Sequence, residues 1–387
     1  MRILRVADVS DNRTGGMTRA MYGTGDILAA SGHQVDYAFS DQFRTGIPAA
    51  LRRFTVPLEI PGLIRRLQRQ GKQYDVVEIH EPLAAACCFL RPFLKALPPI
   101  VVFSHGLEER SRLTELAYWR QKGLTISLKK RYSPLSVVLQ AAYATRHSSQ
   151  VICLNTEDFQ HLISSGVMET HITLLHNGIE DDLIAAGESA AQESQERSGL
   201  LFIGTWLVRK GIMDLVPAVT EILRRHPEMR LTVAGSGASA EAVTGDFDLD
   251  VRSQITVIPK FSGNESLTDL YRGHSIFVLP SYFEGHPLVM IEAAAFGMAI
   301  ITTGVCGMAD FIQDGQNGLL VKVGDPADLQ SKLESVVTDE RLARRLGDAA
   351  RLTAQSFTWE RSAQTTIMAY ERAIKNAAIG GSGSHES

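Results

Sequence analysis

The chain of 387 residues predicts an α/β protein made of two Rossmann-like units, each a parallel sheet covered by helices. Short apolar runs alternate with helical patterns along the whole chain, and this alternation is typical of parallel α/β sheets. The pattern occurs twice, in two series of six apolar runs. A hydrophobic content of 44% is that of a soluble globular protein, and the length favours two domains over one.

Each strand is predicted from a short run of consecutive apolar residues. The runs of the first unit cover residues 3–9, 35–39, 76–79, 100–103, 151–154 and 173–175. The runs of the second unit cover residues 200–204, 230–234, 255–258, 276–279, 299–302 and 318–321. Two such units in tandem predict one deep cleft between the carboxyl ends of their strands.

The predicted domains are residues 1–183 and 184–356, and the small and polar residues of 185–197 are expected to form a linker between the two sheets. A last helix is predicted over residues 357–379. The residues after it, 380–387, are rich in Gly and Ser and are expected to form a flexible tail.

The net charge of −4 is unevenly distributed along the chain. Of the 39 basic and 43 acidic residues, 21 basic and 15 acidic residues lie within residues 1–179. This positive excess predicts that the first half meets an anionic partner, such as a lipid headgroup surface. Nucleic acid is not among the expected partners.

The composition also predicts where the protein works. The four cysteines have neither a metal-binding spacing nor that of a disulfide framework, so reduced thiols are expected. No apolar run reaches the ~18 residues of a membrane-spanning helix, and no signal region is recognised. We therefore expect a cytoplasmic protein that contacts the inner face of the membrane at most peripherally.

The stretch PSYFEGHPLVMIE, residues 280–292, holds two glutamates eight positions apart. An apolar strand precedes it, and a helix is predicted from Leu288. Glu284 then lies over a helix N-terminus, whose free amides can bind phosphate. Glu292, about one turn into the helix, can accept hydrogen bonds from a ribose diol. This pairing predicts a nucleotide-sugar site; an ordinary acidic helix start is the alternative.

This segment resembles the Glu-x7-Glu motif of the retaining glycosyltransferases with the GT-B fold, a family that includes glycogen synthases, sucrose synthases and bacterial mannosyl- and glucosyltransferases. The resemblance implies two Rossmann-like domains that face each other across a deep cleft. It also implies that the last helix crosses back onto the first domain. The implied donor is a nucleoside diphosphate sugar.

The resemblance assigns roles to residues of the second domain. Lys210 matches a family lysine that places a positive charge on the diphosphate. Thr205 stands where the family has an arginine, and Arg209 is the candidate to supply that charge; a solvent-facing Arg209 is the alternative. Four residues are expected to hold the departing phosphates: Gly285, His286, Pro287 and Leu288. The candidates that hold the nucleobase are Lys260 and Phe261, with a plain turn as the alternative.

The resemblance also covers three residues of the first domain. Gly15 and Gly16 match a double glycine close to the donor phosphates, and a tight strand-to-helix turn is the alternative. His105 follows the fourth strand and matches a family histidine that contacts the donor sugar, whereas a structural histidine is the alternative. His80, at the end of the third strand, suits either kind of role.

Two further patterns concern a metal site and a membrane contact. Residues 246–250, DFDLD, look like the Asp-x-Asp metal site of other glycosyltransferases, but no flanking ligand supports them. In the resembled fold Lys210 and helix dipoles take the place of a metal, so no metal and no other cofactor is expected. Residues 121–133 alternate apolar and polar residues before three consecutive basic residues, so they form either a solvated connection or a membrane contact.

Together these features predict a retaining, metal-independent glycosyltransferase with Glu284, His105 and Lys210 as catalytic residues. The favoured donor is a UDP-sugar, and a GDP-sugar is the second choice. The expected acceptor is a saccharide or lipid-linked hydroxyl of a bacterial surface polysaccharide or glycolipid intermediate. A sugar-nucleotide epimerase that uses Glu108 and Glu109 is one alternative. A nucleotide-binding homologue without transfer activity is another.

Overall fold

The computed structural model describes residues 1–13, 15–94, 96–121, 123, 135–192, 197–260 and 264–382. The chain divides into two compact units. The first holds Met1–His176 and the C-terminal helix Trp359–Ser382, and the second holds Asn177–Thr358. The division falls after residues 176 and 358, where the sequence analysis placed it after residues 183 and 356.

The first unit is built on a six-stranded parallel sheet of the order β2-β1-β3-β4-β5-β6. Its strands are β1 Arg2–Val6, β2 Gln34–Ala38, β3 Val76–His80, β4 Ile100–Phe103, β5 Gln150–Cys153 and β6 Ile172–Leu174. Its helices, besides the C-terminal one, are α1 Gly16–Ala30, α2 Ala49–Arg69, α3 Ala85–Leu90, α4 Glu108–Gln121, α5 Leu135–His147 and α6 Thr156–Ser164.

Helices cover both faces of this sheet because successive strand residues point to opposite sides. One face packs on α2, α3 and α5. The other face packs on α1 and on the C-terminal helix, which contributes Ala369, Tyr370 and Ala373 to the core. Trp359, at the start of that helix, is buried against Gly23 of α1, where a Cβ would lie 2.6 Å from the indole ring.

The second unit holds another six-stranded parallel sheet, of the order β12-β11-β10-β7-β8-β9. Its strands are β7 Leu200–Ile203, β8 Leu231–Ala234, β9 Ile255–Ile258, β10 Ile276–Leu279, β11 Ala299–Thr303 and β12 Leu319–Val321. Its helices are α7 Asp181–Gln192, α8 Ile212–Arg225, α9 Ala240–Gly245, α10 Asn264–Gly273, α11 Leu288–Ala295, α12 Cys306–Phe311, α13 Pro326–Thr338 and α14 Glu340–Ala354.

All twelve predicted strands are confirmed, but the predicted linker is wrong. Residues 181–192 form helix α7 instead. Its small residues allow close packing, since a Cβ on Gly187 would lie 2.2 Å from the carbonyl oxygen of Ala295 in α11. The C-terminal helix runs to Ser382, three residues beyond the predicted end, and residues 383–387 lie outside the described part. No described helix is long and apolar enough to cross a bilayer.

Candidate active site

The strand order of the second unit predicts where a ligand binds. From β7 the chain moves to β8 on one side and later returns through β10 on the other side. In open α/β sheets ligands bind outside the carboxyl ends of the strands at such a switch point. The segment after β7 carries Lys210, and the segment after β10 carries Glu284. The topology therefore brings Lys210 and Glu284, which lie 74 positions apart in the sequence, to the same edge of one sheet.

Lys210, Arg209 and Glu284 form one charged cluster. The Nζ atom of Lys210 lies 2.7 Å from Oε1 of Glu284, and a guanidinium nitrogen of Arg209 lies 3.4 Å from Oε2. Arg209 also donates a hydrogen bond of 2.9 Å to the carbonyl of Phe283. The structure thus brings Arg209 to Glu284, although 43% of its side chain stays exposed.

The cluster has a surplus of positive charge. Burial raises the pKa of Glu284, but the charges of Lys210 and Arg209 outweigh burial and lower it below the ordinary value. The carboxylate is therefore ionised at neutral pH and neutralises one of the two cations. The other positive charge is available to an anion such as a phosphate.

A glycine contact fixes the turn that carries Lys210. Val208–Lys210 form a short 3-10 turn that ends at Gly211, whose φ of 75° is left-handed. A Cβ on Gly211 would lie 1.8 Å from the carbonyl oxygen of Pro280, directly after β10. The amide of Tyr282 donates to the carbonyl of Arg209 at 2.8 Å. Backbone packing therefore holds the turn against the segment that leads to Glu284.

The predicted phosphate loop ends in the start of α11. Pro287 is the N-cap residue, and the helix begins at Leu288 as predicted. The first amides of a helix have no partner within it and attract anions. Gly307 of α12 holds this loop in place, because a Cβ there would lie 2.0 Å from the carbonyl oxygen of Gly285. Sequence reasoning missed Gly307, whose only signal is a glycine near a helix start.

His286 lies in the interior of the second unit. Its ring is 3% exposed and stacks on Phe357, with the ring centroids 5.4 Å apart. Its carbonyl accepts a hydrogen bond of 2.8 Å from the side chain of Asn177. The side chain of His286 therefore belongs to the core of the second unit, and its backbone is the part that can contact a ligand.

Glu292 is fully buried, and a tyrosine orients it. The hydroxyl of Tyr271 in α10 donates a hydrogen bond of 2.6 Å to Oε2 of Glu292. Sequence reasoning missed Tyr271 because α10 shows only an ordinary helical pattern. Lys260 is exposed directly after β9. Phe261 lies outside the described residues, so the nucleobase site at this place stays a prediction.

In the first unit the predicted double glycine opens α1. Gly15 is the N-cap residue, and its amide donates a hydrogen bond of 2.9 Å to Oδ1 of Asn12. A Cβ on Gly16 would meet no atom within 4 Å. Gly16 therefore leaves open space in front of the helix N-terminus.

His105 stands at the end of a row of buried polar groups. Its Nε2 atom lies 2.8 Å from Nδ1 of His80, whose Nε2 atom lies 3.1 Å from Oε1 of Glu78. Arg5 lies 3.2 Å from the same carboxylate, and the hydroxyl of Tyr370 donates to its other oxygen at 2.7 Å. The ring of His80 therefore links the sheet interior to His105.

The protonation of this row follows from its charges. Burial lowers the pKa of His105, the charge of His80 lowers it further, and Glu78 opposes both only in part. Burial raises the pKa of Glu78, but the charge of Arg5, together with the interactions of His80 and the hydrogen bond from Tyr370, outweighs burial and brings it to about 2. At neutral pH, His105 is therefore neutral and Glu78 is ionised.

A cavity of about 920 Å³ with several ionisable residues in its lining lies in the first unit at the carboxyl ends of β1 and β3. Burial raises the pKa of one of its carboxyls, that of Glu81, to about 8, and the nearby Glu108 adds to this effect. Arg52 pairs with Asp8 across the lining. Sequence reasoning missed this cavity, whose ionisable lining residues include Asp8, Asp41, Arg52, Arg53, His80 and Glu81.

The Asp-x-Asp stretch has other partners, and most of segment 121–133 lies outside the described residues. Arg224 pairs with both Asp248 and Asp250, so the Asp-x-Asp stretch contributes to a charged surface. Among the described residues, no group of three His, Cys, Asp or Glu side chains is placed to hold a metal ion. Segment 121–133, expected to be either a solvated connection or a membrane contact, falls outside the described residues except for positions 121 and 123.

Two family models match the chain. "Glycosyltransferase Family 4" matches residues 14–183, and "Glycosyl transferases group 1" matches residues 188–353. The D-inositol 3-phosphate glycosyltransferase of Kribbella flavida is 30% identical over 240 residues, which are 58% of this chain and 57% of that protein. The glycogen synthase of Mycobacterium tuberculosis is 30% identical over 59% of this chain and 55% of its own length. The chain thus spans little more than half the length of these relatives.

Solved structures with the same fold cover nearly the whole chain. The sucrose-phosphate synthase of Thermosynechococcus elongatus superimposes with a TM-score of 0.74 at 20% identity, over 98% of this chain and all of that one. HepE of Anabaena superimposes with a TM-score of 0.68 at 14% identity, over 96% and 99% of the two chains. With both halves matched and the two predicted Rossmann-like units in place, the chain belongs to the GT-B glycosyltransferases that these two family models describe.

Proposed function

We propose that the protein is a retaining, metal-independent glycosyltransferase that uses a nucleoside diphosphate sugar, with UDP as the nucleotide. The observation that carries this proposal is the cluster of Lys210, Arg209 and Glu284 at the switch point of the second sheet. It combines surplus positive charge with a carboxylate and lies where a parallel sheet binds nucleotides.

The donor is held by its phosphates and its ribose. Lys210 and Arg209 neutralise the diphosphate as it leaves, together with the amides at the start of α11. Glu284, fixed between the two cations, orients the hydroxyls of the sugar. Glu292, oriented by Tyr271, accepts hydrogen bonds from the ribose diol. The protein needs no metal because its own cations meet the departing charge.

Transfer with retention follows from where the acceptor attacks. The acceptor oxygen forms its bond to the anomeric carbon on the face from which the diphosphate leaves, and the bond to the phosphate oxygen breaks. That phosphate oxygen takes the acceptor proton. A covalent intermediate would require a carboxylate beneath the anomeric carbon, and no residue is assigned to that role.

His105 orients the sugar through its free ring nitrogen. Its Nε2 atom faces His80. An ionised Glu78 can only accept, so Nε2 of His80 donates to it. When Nδ1 of His80 accepts in turn, the hydrogen of His105 lies on Nε2, and Nδ1 of His105 is left as an acceptor. A sugar hydroxyl can donate to that nitrogen.

The acceptor is a saccharide or lipid-linked hydroxyl bound in the cavity of the first unit. The cavity supports this assignment because carboxyl groups and arginines hydrogen-bond well to polyhydroxyl compounds. A bacterial surface polysaccharide or glycolipid intermediate fits such a site. The reaction would then take place on the cytoplasmic side of a membrane.

The identity of the donor nucleotide is the first point to test. Structures of HepE hold UDP with glucose, whereas starch synthase IV of Arabidopsis thaliana holds ADP, so neighbours of one fold differ in nucleotide. Thermal unfolding of the full chain is measured with UDP, GDP, ADP, CDP and TDP. A nucleotide at 100 times its dissociation constant stabilises the fold by about 2.7 kcal/mol.

Glu292→Ala and the exposed Glu241→Ala serve as the matched pair. One nucleotide should stabilise the wild type and Glu241→Ala but not Glu292→Ala. The absence of any shift in the wild type would overturn the proposal. The same donor is then incubated without acceptor, and formation of an epimeric sugar nucleotide would replace transfer by epimerisation.

A further inference from the structure

We propose that the solvent side of α2, α3 and α5, which we term the docking face, binds the surface of an anionic lipid membrane. Fifteen large apolar side chains lie exposed in the described part of the chain. Seven of them lie on these three helices or just after α3: Leu51, Phe54, Leu58, Phe89, Phe93, Leu135 and Leu139.

Within each helix the exposed apolar residues follow one side. On α2 they lie at positions 51, 54 and 58, and residues three or four apart share a helix face. The residues on α5, 135 and 139, are four apart, as are Phe89 and Phe93. The opposite side of α2 is buried in the core with Val56 and Ile60. The apolar stripes are thus additional to the packing that holds the helices.

The three helices form one layer on the same face of the sheet. The ring of Phe89 lies 6.1 Å from that of Phe93 and 6.4 Å from that of Tyr143 on α5. The side chain of Gln140 on α5 donates a hydrogen bond of 3.3 Å to the carbonyl of Arg53 on α2. The stripes are therefore neighbours and make one surface.

The charge of the docking face selects its partner. The three helices carry six arginines and one acidic residue, Glu59, and two of the arginines, Arg52 and Arg53, line the cavity instead. Arg65 and Arg69 are exposed and continue the stripe of α2 at helical spacing. Leu and Phe beside exposed arginines are typical of helices that lie on anionic bilayers. A second copy of the same face would instead set like charges against each other.

This inference rests on the proposed function in one respect, since a lipid-linked acceptor is presented at a membrane. The remaining argument depends only on the surface itself. Failure of the donor site and failure of the docking face are therefore measured separately, the first by nucleotide stabilisation and the second by vesicle binding.

The experiment is flotation of the full chain with vesicles of phosphatidylcholine, alone or with about 30 mol% phosphatidylserine. The wild type should float only with the anionic vesicles and should be released at about 1 M salt, where the Debye length is ~3 Å. The double variant Leu58→Asp/Phe93→Asp should lose binding at least about tenfold, as should Arg65→Glu/Arg69→Glu.

The matched control is Leu249→Asp/Leu352→Asp, because both leucines are exposed on the second unit. It should float like the wild type. Nucleotide stabilisation retained in every variant shows that each is folded. A wild type that binds no vesicle, or docking variants that bind as well as the control, would overturn the proposal. So would a dimer that these variants abolish, since it would assign the face to a second copy.

Discussion

The Nδ1 atom of His80 lies 2.8 Å from the Nε2 atom of His105, and the other nitrogen of His80 faces the carboxylate of Glu78. An ionised carboxylate can only accept, so a neutral His80 donates to Glu78 and accepts from His105. The tautomer of His105 is therefore set by a carboxylate that it does not touch.

This coupling predicts the titration of His105. We expect ¹⁵N NMR to show a neutral ring with its hydrogen on Nε2 at neutral pH, because burial lowers the pKa of His105. In His80→Phe the pKa of His105 should rise towards its ordinary value, because a protonated His80 can no longer oppose protonation of His105 while burial stays. His33→Phe is the control. An unchanged His105 signal in His80→Phe would show that the two rings are not coupled.

The ion pair of Lys210 and Glu284 predicts that stability and binding can be separated. Lys210→Met leaves a buried carboxylate with only Arg209 beside it, which should lower the free energy of unfolding by about 1–3 kcal/mol. The double variant Lys210→Met/Glu284→Gln should regain most of that loss in urea unfolding. It should not regain nucleotide stabilisation, because the cation is still missing. Normal nucleotide binding by the double variant would show that Lys210 does not belong to the donor site.

The close approach of Gly211 and Pro280 predicts an unequal effect of the same substitution at two glycines. Gly211 and Gly237 both have left-handed φ, but a Cβ on Gly237 meets no atom within 4 Å. Gly237→Ala should cost about 1 kcal/mol of unfolding free energy. Gly211→Ala should cost about 2–4 kcal/mol, because the backbone of Pro280 must also move. Equal costs in urea unfolding would contradict the packing described for the Lys210 turn.

The raised pKa of Glu81 predicts a pH dependence of stability. Between about pH 4.3, the ordinary value, and about pH 8, the folded state holds a proton that the unfolded state has released. Stability therefore falls as pH rises through this window, by up to about 1.4 kcal/mol per pH unit. Glu81→Gln should remove this slope, and the exposed Glu169→Gln should keep it. If the free energy of unfolding changed with pH in the same way in wild type and in Glu81→Gln, the raised pKa of Glu81 would be refuted.

Much of the fold could be predicted because most strands are short runs buried on both faces. Lys210 and Glu284 could be predicted as site residues because each follows the carboxyl end of a strand. Helix α7 could not, since the small and polar residues of 185–197 suggest a linker, while Leu183 and Ile184 of its apolar side precede that stretch. Its partner α11 also lies about a hundred residues later in the chain. A carboxylate such as Glu78 within an apolar strand does imply a buried partner, but it does not say that the partners are Arg5, His80 and Tyr370.

The C-terminal helix has a consequence for synthesis. It supplies Tyr370 and Trp359 to the first unit, yet residues 177–358 are translated before it. At typical elongation rates this separates the first sheet from its last helix by roughly 10–40 s. During that interval the nascent first unit lacks the hydroxyl that binds Glu78 and the indole that covers Gly23. The unit translated first is therefore the unit completed last, and a chain that stops before residue 359 leaves the core behind His105 unfinished.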